Sequence, residues 1–379
     1  MKTAMCLGLI LFSVILVGCL VPQEVPEVTP AGFEEPIWLE NQGIGCVSVA
    51  LDPRHSKLGM AYSERANQVG DGQWMLMYAE LDSSGNWQIQ AIGDVSSYTD
   101  CSLEFLADGS PLVVYYRDQI GMTSSSLYSA SLGDDGVWQI ERLFNTLCSR
   151  DSLAIDPTTN TACVFGNSTG DYNLYWALYD SSVGSWNFDL LSWADACAES
   201  AQFNRLTSSF CCAFTTLSWT NHPAVLCYFD GQGIEDIKTE EHAYSWIPSL
   251  AISPTTGYPH ISYGSEYIYY DGAQWVITEV IKGAAFTSIC LDPLTEEPKI
   301  AYAKDFSYIV GDRLNLAVCQ AGEWTINTFG KIKCEAVSMV LTPTGKAIMV
   351  CSGRDVLCVE MEEGAWPLAP LPGEGEEDG

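Results

Sequence analysis

The chain has 379 residues, enough for one large all-β domain or for two to three domains of ordinary size. Hydrophobic residues make up 47% of it, which is ample for a buried core, but 17 Lys and Arg stand against 48 Asp and Glu, for a net charge of -31. A surface of this charge repels nucleic acid, so we expect no nucleic-acid partner.

The first nineteen residues have the features of an export signal. A single cation precedes an apolar run over residues 7–17, which is too short for a membrane-spanning helix. The run ends in Leu16-Val17-Gly18-Cys19, which resembles the lipobox of bacterial lipoproteins. The resemblance implies that residues 1–18 are removed and that Cys19 carries the acyl chains, palmitate among them, that anchor the protein in the lipid bilayer. We therefore expect an exported protein of the cell envelope, in the outer membrane or at the cell surface.

Two segments flank a region of internal repeats. Residues 20–36 contain four prolines and four glutamates, a composition typical of an extended tether. The last residues are acidic and have no apolar periodicity. We therefore assign residues 19–36 to the lipid anchor and its tether, 37–366 to one repeat domain and 367–379 to a disordered tail.

One unit recurs throughout the repeat domain: a Ser-led strand, a turn, a second strand ending in an aromatic residue, an aromatic-rich third strand and a Trp-led fourth strand. The leading residues of the seven copies are Ser48, Ser102, Ser152, Ser200, Ser249, Ser288 and Ser338. Fourth strands begin at Trp87, Trp138, Trp186, Trp275 and Trp324, and residues 234–238 take that place in the fourth, degenerate copy. Four short antiparallel strands per copy predict an all-β protein, a seven-bladed β-propeller.

The seventh copy lacks a good fourth strand, because the Trp-led segment at 366–371 contains two prolines. Ahead of the first copy lies the segment IWLENQ at 37–42, which has the character of an unpartnered fourth strand. A ring of blades must join its ends or expose an edge. We therefore expect residues 37–42 to complete the blade built from residues 338–361.

The copy SLAISPTTGYPHISYGSEYIYYDGAQWVITEV at 249–280 resembles the repeat of a widespread group of bacterial and archaeal β-propellers. This resemblance covers nearly the whole mature chain and implies the propeller fold, without implying an activity. The chain is more distantly similar to sialidase propellers. However, its turns at 81–87 and 132–138 hold Asp, Gly and Trp at spacings unlike those of the sialidase Asp-box, so no catalytic residue follows from that likeness.

No motif in the chain predicts covalent chemistry or a metal. The segment from Gly166 to Gly170 fits the serine-hydrolase pattern Gly-x-Ser-x-Gly, but it lies between two predicted strands where a turn is expected. Four histidines are scattered without ligand spacing, and His260 starts a strand of the repeat, which favours a structural role. Thirteen cysteines remain beside Cys6 and Cys19, with no Cys-x-x-Cys pair. They could be buried thiols or form bridges after export, and we expect no cofactor.

In a propeller, the connections from second to third strands and from fourth to first strands share one face beside the channel. On it the sequence places several charged and aromatic residues, which we take as candidate ligand-binding residues: Glu64, Arg65, Arg117, Asp118, Tyr244, Trp246, Glu266, Lys304 and Asp305. We expect a binding or scaffolding propeller for a glycan, a peptide or an envelope protein. The alternative is an extracellular glycan or polymer hydrolase or lyase, for which two carboxyl groups about 5 to 9 Å apart at the channel mouth would be needed.

Overall fold

The computed structural model describes the greater part of the repeat domain and two short segments before it. The described residues are 27–28, 37–38, 46–52, 57–65, 74–81, 87–95, 100–118, 125–133, 135–144, 151–167, 173–180, 185–192, 196–216, 225–237, 247–281, 284–304, 313–329, 334–353 and 357–360. The predicted signal peptide, Cys19 and the acidic tail lie outside them. No helix in this part of the chain has the length and apolar character to cross a bilayer.

The described strands form seven sheets, which are the seven blades of a β-propeller. The first two strands of the chain, β1 (Glu27–Val28) and β2 (Ile37–Trp38), precede the repeats. Blade 1 contains β3 (Val47–Asp52), β4 (Lys57–Arg65), β5 (Trp74–Leu81) and β6 (Trp87–Val95). Blade 2 contains β7 (Cys101–Phe105), β8 (Pro111–Asp118), β9 (Ser125–Leu132) and β10 (Trp138–Phe144). Blade 3 contains β11 (Asp151–Asp156), β12 (Thr161–Asn167), β13 (Leu174–Asp180) and β14 (Ser185–Ser192).

The remaining blades follow the same order. Blade 4 contains β15 (Ala196–Asn204), β16 (Ser209–Thr216), β17 (Val225–Phe229) and β18 (Ile234–Ile237). Blade 5 contains β19 (Ser249–Ile252), β20 (Pro259–Tyr263), β21 (Glu266–Tyr270) and β22 (Trp275–Glu279). Blade 6 contains β23 (Ala284–Leu291), β24 (Pro298–Lys304), β25 (Arg313–Gln320) and β26 (Glu323–Phe329). Blade 7 contains β27 (Cys334–Leu341), β28 (Ala347–Gly353) and β29 (Leu357–Glu360). The predicted fold class and the number of blades are confirmed.

The leading serines of the repeat connect each blade to the next. Each hydroxyl accepts a hydrogen bond from the backbone N–H of the residue that follows the next blade's serine; Leu103, for example, donates to Ser48 at 3.0 Å. The last bond closes the ring, because Val49 donates to Ser338 at 3.1 Å. The other donor and acceptor pairs are Leu153 and Ser102, Ala201 and Ser152, Leu250 and Ser200, Ile289 and Ser249, and Met339 and Ser288. Each bond contributes about 1 kcal/mol, so the repeated serine is explained by blade assembly.

The tryptophans of the outer strands pack against the preceding blade. The ring of Trp138 in blade 2 meets Tyr78 of blade 1 edge-on, with 5.3 Å between ring centroids. Trp324 of blade 6 meets Tyr267 of blade 5 at the same distance. These pairs lie in the apolar layers between blades, where burial of apolar area supplies the main stabilisation of the fold.

The ring is closed by pairing between the two ends of the described chain. Strand β2 pairs antiparallel with β29, so that Ile37 lies opposite Cys358 and becomes part of the outer strand of blade 7. This confirms the prediction for residues 37–38, and residues 39–42 lie outside the described part. Within blade 7, Cys334 and Cys351 form a disulfide.

One pairing was not anticipated from the sequence. Strand β1, which lies in the predicted tether, runs parallel to β26 and places Glu27 opposite Ile326 at the rim of blade 6. An outer strand presents unsatisfied N–H and C=O groups, which any extended segment can pair with, whatever its composition. The predicted tether therefore contributes an edge strand to the propeller.

The blades have two different ends. We call the end with the turns between first and second strands, and between third and fourth strands, the turn face. We call the opposite end, where second strands lead to third strands and fourth strands lead to the next blade, the loop face. Turns of the turn face bond to each other across blades: Asn204 Nδ2 donates to the carbonyl of Gly257 at 2.9 Å, and Ser253 Oγ donates to Glu296.

Candidate functional site

The structure places the described candidate residues at the loop face, at the ends of second or third strands. Glu64 and Arg65 end β4, Arg117 and Asp118 end β8, Glu266 begins β21 and Lys304 ends β24. For Asp118 and Lys304 only the backbone is described. Tyr244, Trp246 and Asp305 lie outside the described residues, so their part in a site stays a prediction.

Two of these candidates lie on the sides of blades 1 and 2 that face each other. Side chains alternate along β4, so Arg65 is on the same side as Ala61, which packs in the apolar layer shared with blade 2. Arg117 of β8 is likewise on the side of Tyr115, which belongs to that layer. Alternation thus directs both arginines toward the boundary between blades 1 and 2, at its loop-face end.

The geometry around Arg117 is that of a cation–aromatic site. Its guanidinium carbon lies 6.0 Å from the centroid of the Tyr128 ring. A second arginine, Arg142 of β10, is solvent-exposed and donates from Nε and Nη2 to the hydroxyl of Ser126, at 3.0 and 2.7 Å. The structure therefore holds two guanidinium groups beside one tyrosine on the same blade.

The register of blade 2 explains this arrangement. Tyr128 of β9 lies opposite Tyr115 of β8 on one side and opposite Arg142 of β10 on the other, so the three side chains form a row across the sheet. Arg117 lies opposite Ser126 in the next row, nearer the loop face. Cross-strand neighbours on one face are close enough for their side chains to touch. The β-sheet itself therefore positions the cluster.

The electrostatic surroundings of the cluster are mixed. The rings of Tyr115 and Tyr128 stack with 5.7 Å between their centroids. Burial raises the pKa of Tyr115 to about 12; the nearby charge of Arg117 opposes this rise, whereas Asp94 of blade 1 adds to it. We call the group formed by Arg65, Asp94, Tyr115, Arg117, Ser126, Tyr128 and Arg142 the blade 1–2 crevice. Its cations and its aromatic ring suit a ligand that carries negative charge on a flat or ring-shaped body.

Arg142 was not identified from the sequence. The repeat places Arg142 in a fourth strand. The only signal of a role in binding was that Arg142 follows Glu141 near the loop-face end of that strand. The chain has few cations, but they are not concentrated on the loop face, so their distribution does not single out Arg142 either. Lys57, Arg205, Lys299 and Lys346 lie at the turn-face ends of strands or in turns there. The local geometry of blade 2, rather than the overall distribution of cations, therefore defines the site.

A second missed residue is Glu104, on the first strand of blade 2. Burial raises the pKa of its carboxyl to about 7. Glu104 acts electrostatically on Cys290, which lies on the first strand of blade 6, on the other side of the ring. The other six copies carry at this position Ala50, Ala154, Gln202, Ala251, Cys290 and Val340, so a lone carboxyl among small or neutral residues was the available signal.

Two other predictions concern buried groups. Glu266 is only 5% exposed and lies in blade 5, away from the blade 1–2 crevice. His260 shares a hydrogen bond between Nδ1 and the Tyr267 hydroxyl at 2.6 Å and stacks on the rings of Tyr267 and Tyr269. This packing favours a structural role for His260.

Across the described residues, no group of three or more His, Cys, Asp or Glu side chains is arranged to hold a metal ion.

Comparison with known proteins supports the fold. No family model and no curated protein sequence matches the chain. The α-L-arabinofuranosidase Arb93A of Fusarium graminearum, solved with an iminosugar inhibitor, is 10% identical, with 78% of this chain and 97% of that chain covered and a TM-score of 0.52. The β-propeller domain of the trilobed protease of Pyrococcus furiosus is 9% identical over 90% of this chain and 99% of that chain, with a TM-score of 0.51. The Dos1 propeller is 11% identical over 86% and 95%, with a TM-score of 0.50. At these identities the likeness establishes a β-propeller and no activity.

Proposed function

We propose that this protein is a lipid-anchored binding propeller of the cell envelope, and that its blade 1–2 crevice binds an acidic, sugar-like ligand. The observation that carries the proposal is the position of Arg117 over the Tyr128 ring, with Arg142 directly opposite Tyr128 on the neighbouring strand. A guanidinium pairs with a carboxylate or sulfate through parallel N–H donors, and an aromatic ring stacks on the apolar face of a sugar.

The state of Arg142 supports this use. Its bonds to Ser126 hold the guanidinium in place while the side chain remains exposed, and a guanidinium has five N–H donors in all. A cation that is held before the ligand arrives loses less conformational entropy on binding. The crevice is therefore preorganised for an anionic group.

The anchor is proposed from the segment Leu16-Val17-Gly18-Cys19 alone. Acylation of Cys19 would hold the propeller at a membrane surface, where an extracellular glycan or an envelope protein is the accessible partner. Replacing Cys19 by Ser should move the protein from the membrane fraction to the soluble fraction. Unchanged retention, with acyl label still incorporated, would contradict the anchor.

The binding experiment uses the full chain and a panel of glycans that differ in charge: uronic-acid polymers, sulfated polymers and neutral polymers. We expect binding of an anionic member and loss of about tenfold or more in affinity on Arg117→Ala, on Arg142→Ala and on Tyr128→Ala. The matched control is Lys57→Ala, which removes a half-exposed cation paired with Glu80 on the turn face. Binding that survives all three crevice variants, or that falls equally in the control, would contradict the assignment.

A hydrolase or lyase acting on an extracellular polymer is the second candidate, and one observation favours it. Glu104 has a pKa raised to about 7, which suits a general acid that works near neutral pH. One propeller of the same fold is an arabinofuranosidase. Turnover of a bound polymer that is abolished by Glu104→Gln, with binding retained, would replace the binding-only proposal.

A further inference from the structure

Two cysteines from different blades are in contact at the loop-face end of the ring. Cys46 immediately precedes β3, and Cys101 is the first residue of β7. Their sulfur atoms are 2.8 Å apart. This separation is longer than a disulfide bond of about 2.05 Å but shorter than the usual distance between two unbonded sulfurs.

The alternation of side chains along β3 and β7 directs both cysteine side chains into the layer between blades 1 and 2. Cys46, Ser48 and Ala50 alternate with residues that face blade 7, so they face blade 2; Ser48 accepts the N–H of Leu103 there. Cys101 is on the same side of β7 as Leu103, which packs in the layer between blades 1 and 2. At the other six boundaries between blades the two equivalent positions carry no cysteine.

Contacts with strand β4 of blade 1 hold both cysteines in position. The backbone N–H of Cys46 donates to Ser63 Oγ at 3.2 Å, which fixes the start of β3 on β4. The thiol of Cys101 lies 3.6 Å from the carbonyl oxygen of Ala61, on the same strand of blade 1. Both cysteines are therefore held against β4, with their sulfur atoms next to each other.

We propose that Cys46 and Cys101 form a disulfide that joins blades 1 and 2 beside the central channel. The step is thiol–disulfide exchange with a small-molecule or oxidoreductase disulfide. The thiolate of Cys101, which is the more exposed of the two, attacks one sulfur of the oxidant, forms a mixed disulfide and releases one thiol. The thiolate of Cys46 then attacks the Cys101 sulfur and releases the second thiol. Both cysteines give up their protons and together lose two electrons, which reduce the oxidant's disulfide to two thiols.

The disulfide would stabilise the protein in two ways, by restricting the unfolded chain and by holding the ring of blades closed. The two cysteines are 55 residues apart, and closing a loop of that length removes a large part of the conformational entropy of the unfolded state. Because the cross-link ties neighbouring blades, it would also resist opening of the ring at this boundary. The disulfide within blade 7, Cys334–Cys351, connects strands of a single blade and cannot have this second effect.

The experiment treats the native full-length protein with oxidised glutathione, blocks the remaining thiols and maps the peptides by mass spectrometry. We expect a peptide containing Cys46 linked to one containing Cys101, with the loss of two hydrogen atoms. Thermal unfolding is then measured with and without dithiothreitol, for the parent, for the double variant C46S/C101S and for the control Cys319→Ser on β25. Reduction should lower the melting temperature of the parent and of the control by about 5 °C more than that of the double variant.

The design separates this bond from the one in blade 7. Reduction opens Cys334–Cys351 in every variant, so only the difference between the parent and the double variant reports on the interblade pair. Recovery of both Cys46 and Cys101 as blocked thiols after oxidation of the folded protein would overturn the proposal. An equal effect of dithiothreitol on the parent and the double variant would do the same.

Discussion

The two faces of the propeller use charged residues in opposite ways. On the turn face, Lys299 pairs with Asp292 of its own blade at 2.9 Å and also donates to the carbonyl of Gly345 in blade 7, which joins blades 6 and 7. On the loop face, Arg117 and Arg142 bond or stack within blade 2, and Arg142 remains exposed. The difference teaches that polar side chains of the turn face tie neighbouring blades together, whereas the exposed cation of blade 2 leaves the loop face available for the ligand that we propose.

Connection length follows the same division. On the turn face, the connections range from residues 321–322 in blade 6 to residues 253–258 in blade 5. On the loop face, the connection between second and third strands is only residues 264–265 in blade 5 but residues 66–73 in blade 1. The loop face therefore has the longer connections, and long connections on a rigid scaffold are typical of the end that carries function. Substitutions on the turn face should therefore affect stability, and those on the loop face should affect binding.

The largest expected effect is that of Gly345→Val on the turn face. Gly345 has a φ of 83°, which a β-branched residue adopts only with strain, and an added Cβ would collide with the Asp292 carboxylate of blade 6. We expect a loss of about 3 to 5 kcal/mol in unfolding free energy, measured by urea denaturation. Gly136→Val is the control, since its φ is 75° and nothing lies near its Cβ, so it reports the strain alone. Equal losses in the two variants would show that contact between blades 6 and 7 does not matter here.

A smaller effect on the unfolding free energy is expected from substitution of His260, which lies at the turn-face end of β20. Burial lowers the pKa of its imidazole to about 4, although the charge of Glu296 acts in the opposite direction. The unfolded chain binds this proton near pH 6.5 while the folded chain does not, so the stability contribution is complete above pH 6.5 and is lost as pH falls toward 4. We expect His260→Gln to remove about 2 to 3 kcal/mol of this acid dependence, measured as unfolding free energy between pH 7 and pH 4.

The paired test of that titration is Tyr267→Phe, which removes only the hydroxyl bonded to Nδ1. It should keep most of the acid dependence, because burial rather than the hydrogen bond is the main cause of the low pKa. If the loss of stability between pH 7 and pH 4 is unchanged in His260→Gln, groups other than His260 cause it.

The smallest effect on stability is expected at the loop face. Arg142→Ala and Arg117→Ala should each change the unfolding free energy by less than about 0.5 kcal/mol, because exposed or half-exposed cations contribute little to folding. The same two variants carry the largest expected loss of ligand affinity. A loss of stability comparable with that of Gly345→Val would mean that the loop face also serves assembly.

The strands, their number and the closure of the ring could be predicted because each depends on a pattern that repeats along the chain. Ser-led and Trp-led strands recur in copy after copy, and a segment such as Ile37–Trp38 stands out because it is a strand without neighbours in the sequence. A four-stranded unit can bury its faces only against another such unit, so the repeat implies the propeller. The sequence by itself determined these features.

The tertiary structure alone decided which residues of different blades meet. Ser102 accepts from Leu153, Cys46 touches Cys101, and Glu104 acts on Cys290, although each pair is separated by at least one whole repeat. Such pairs are brought together by the twist and curvature of packed blades, and a pattern with a period of two residues identifies the side of a strand but not its neighbour. The position of Arg142 beside Tyr128 depends in the same way on the register of β9 with β10. Repetition therefore specified the ring, whereas the contacts between side chains of different strands and blades were set only by packing and register.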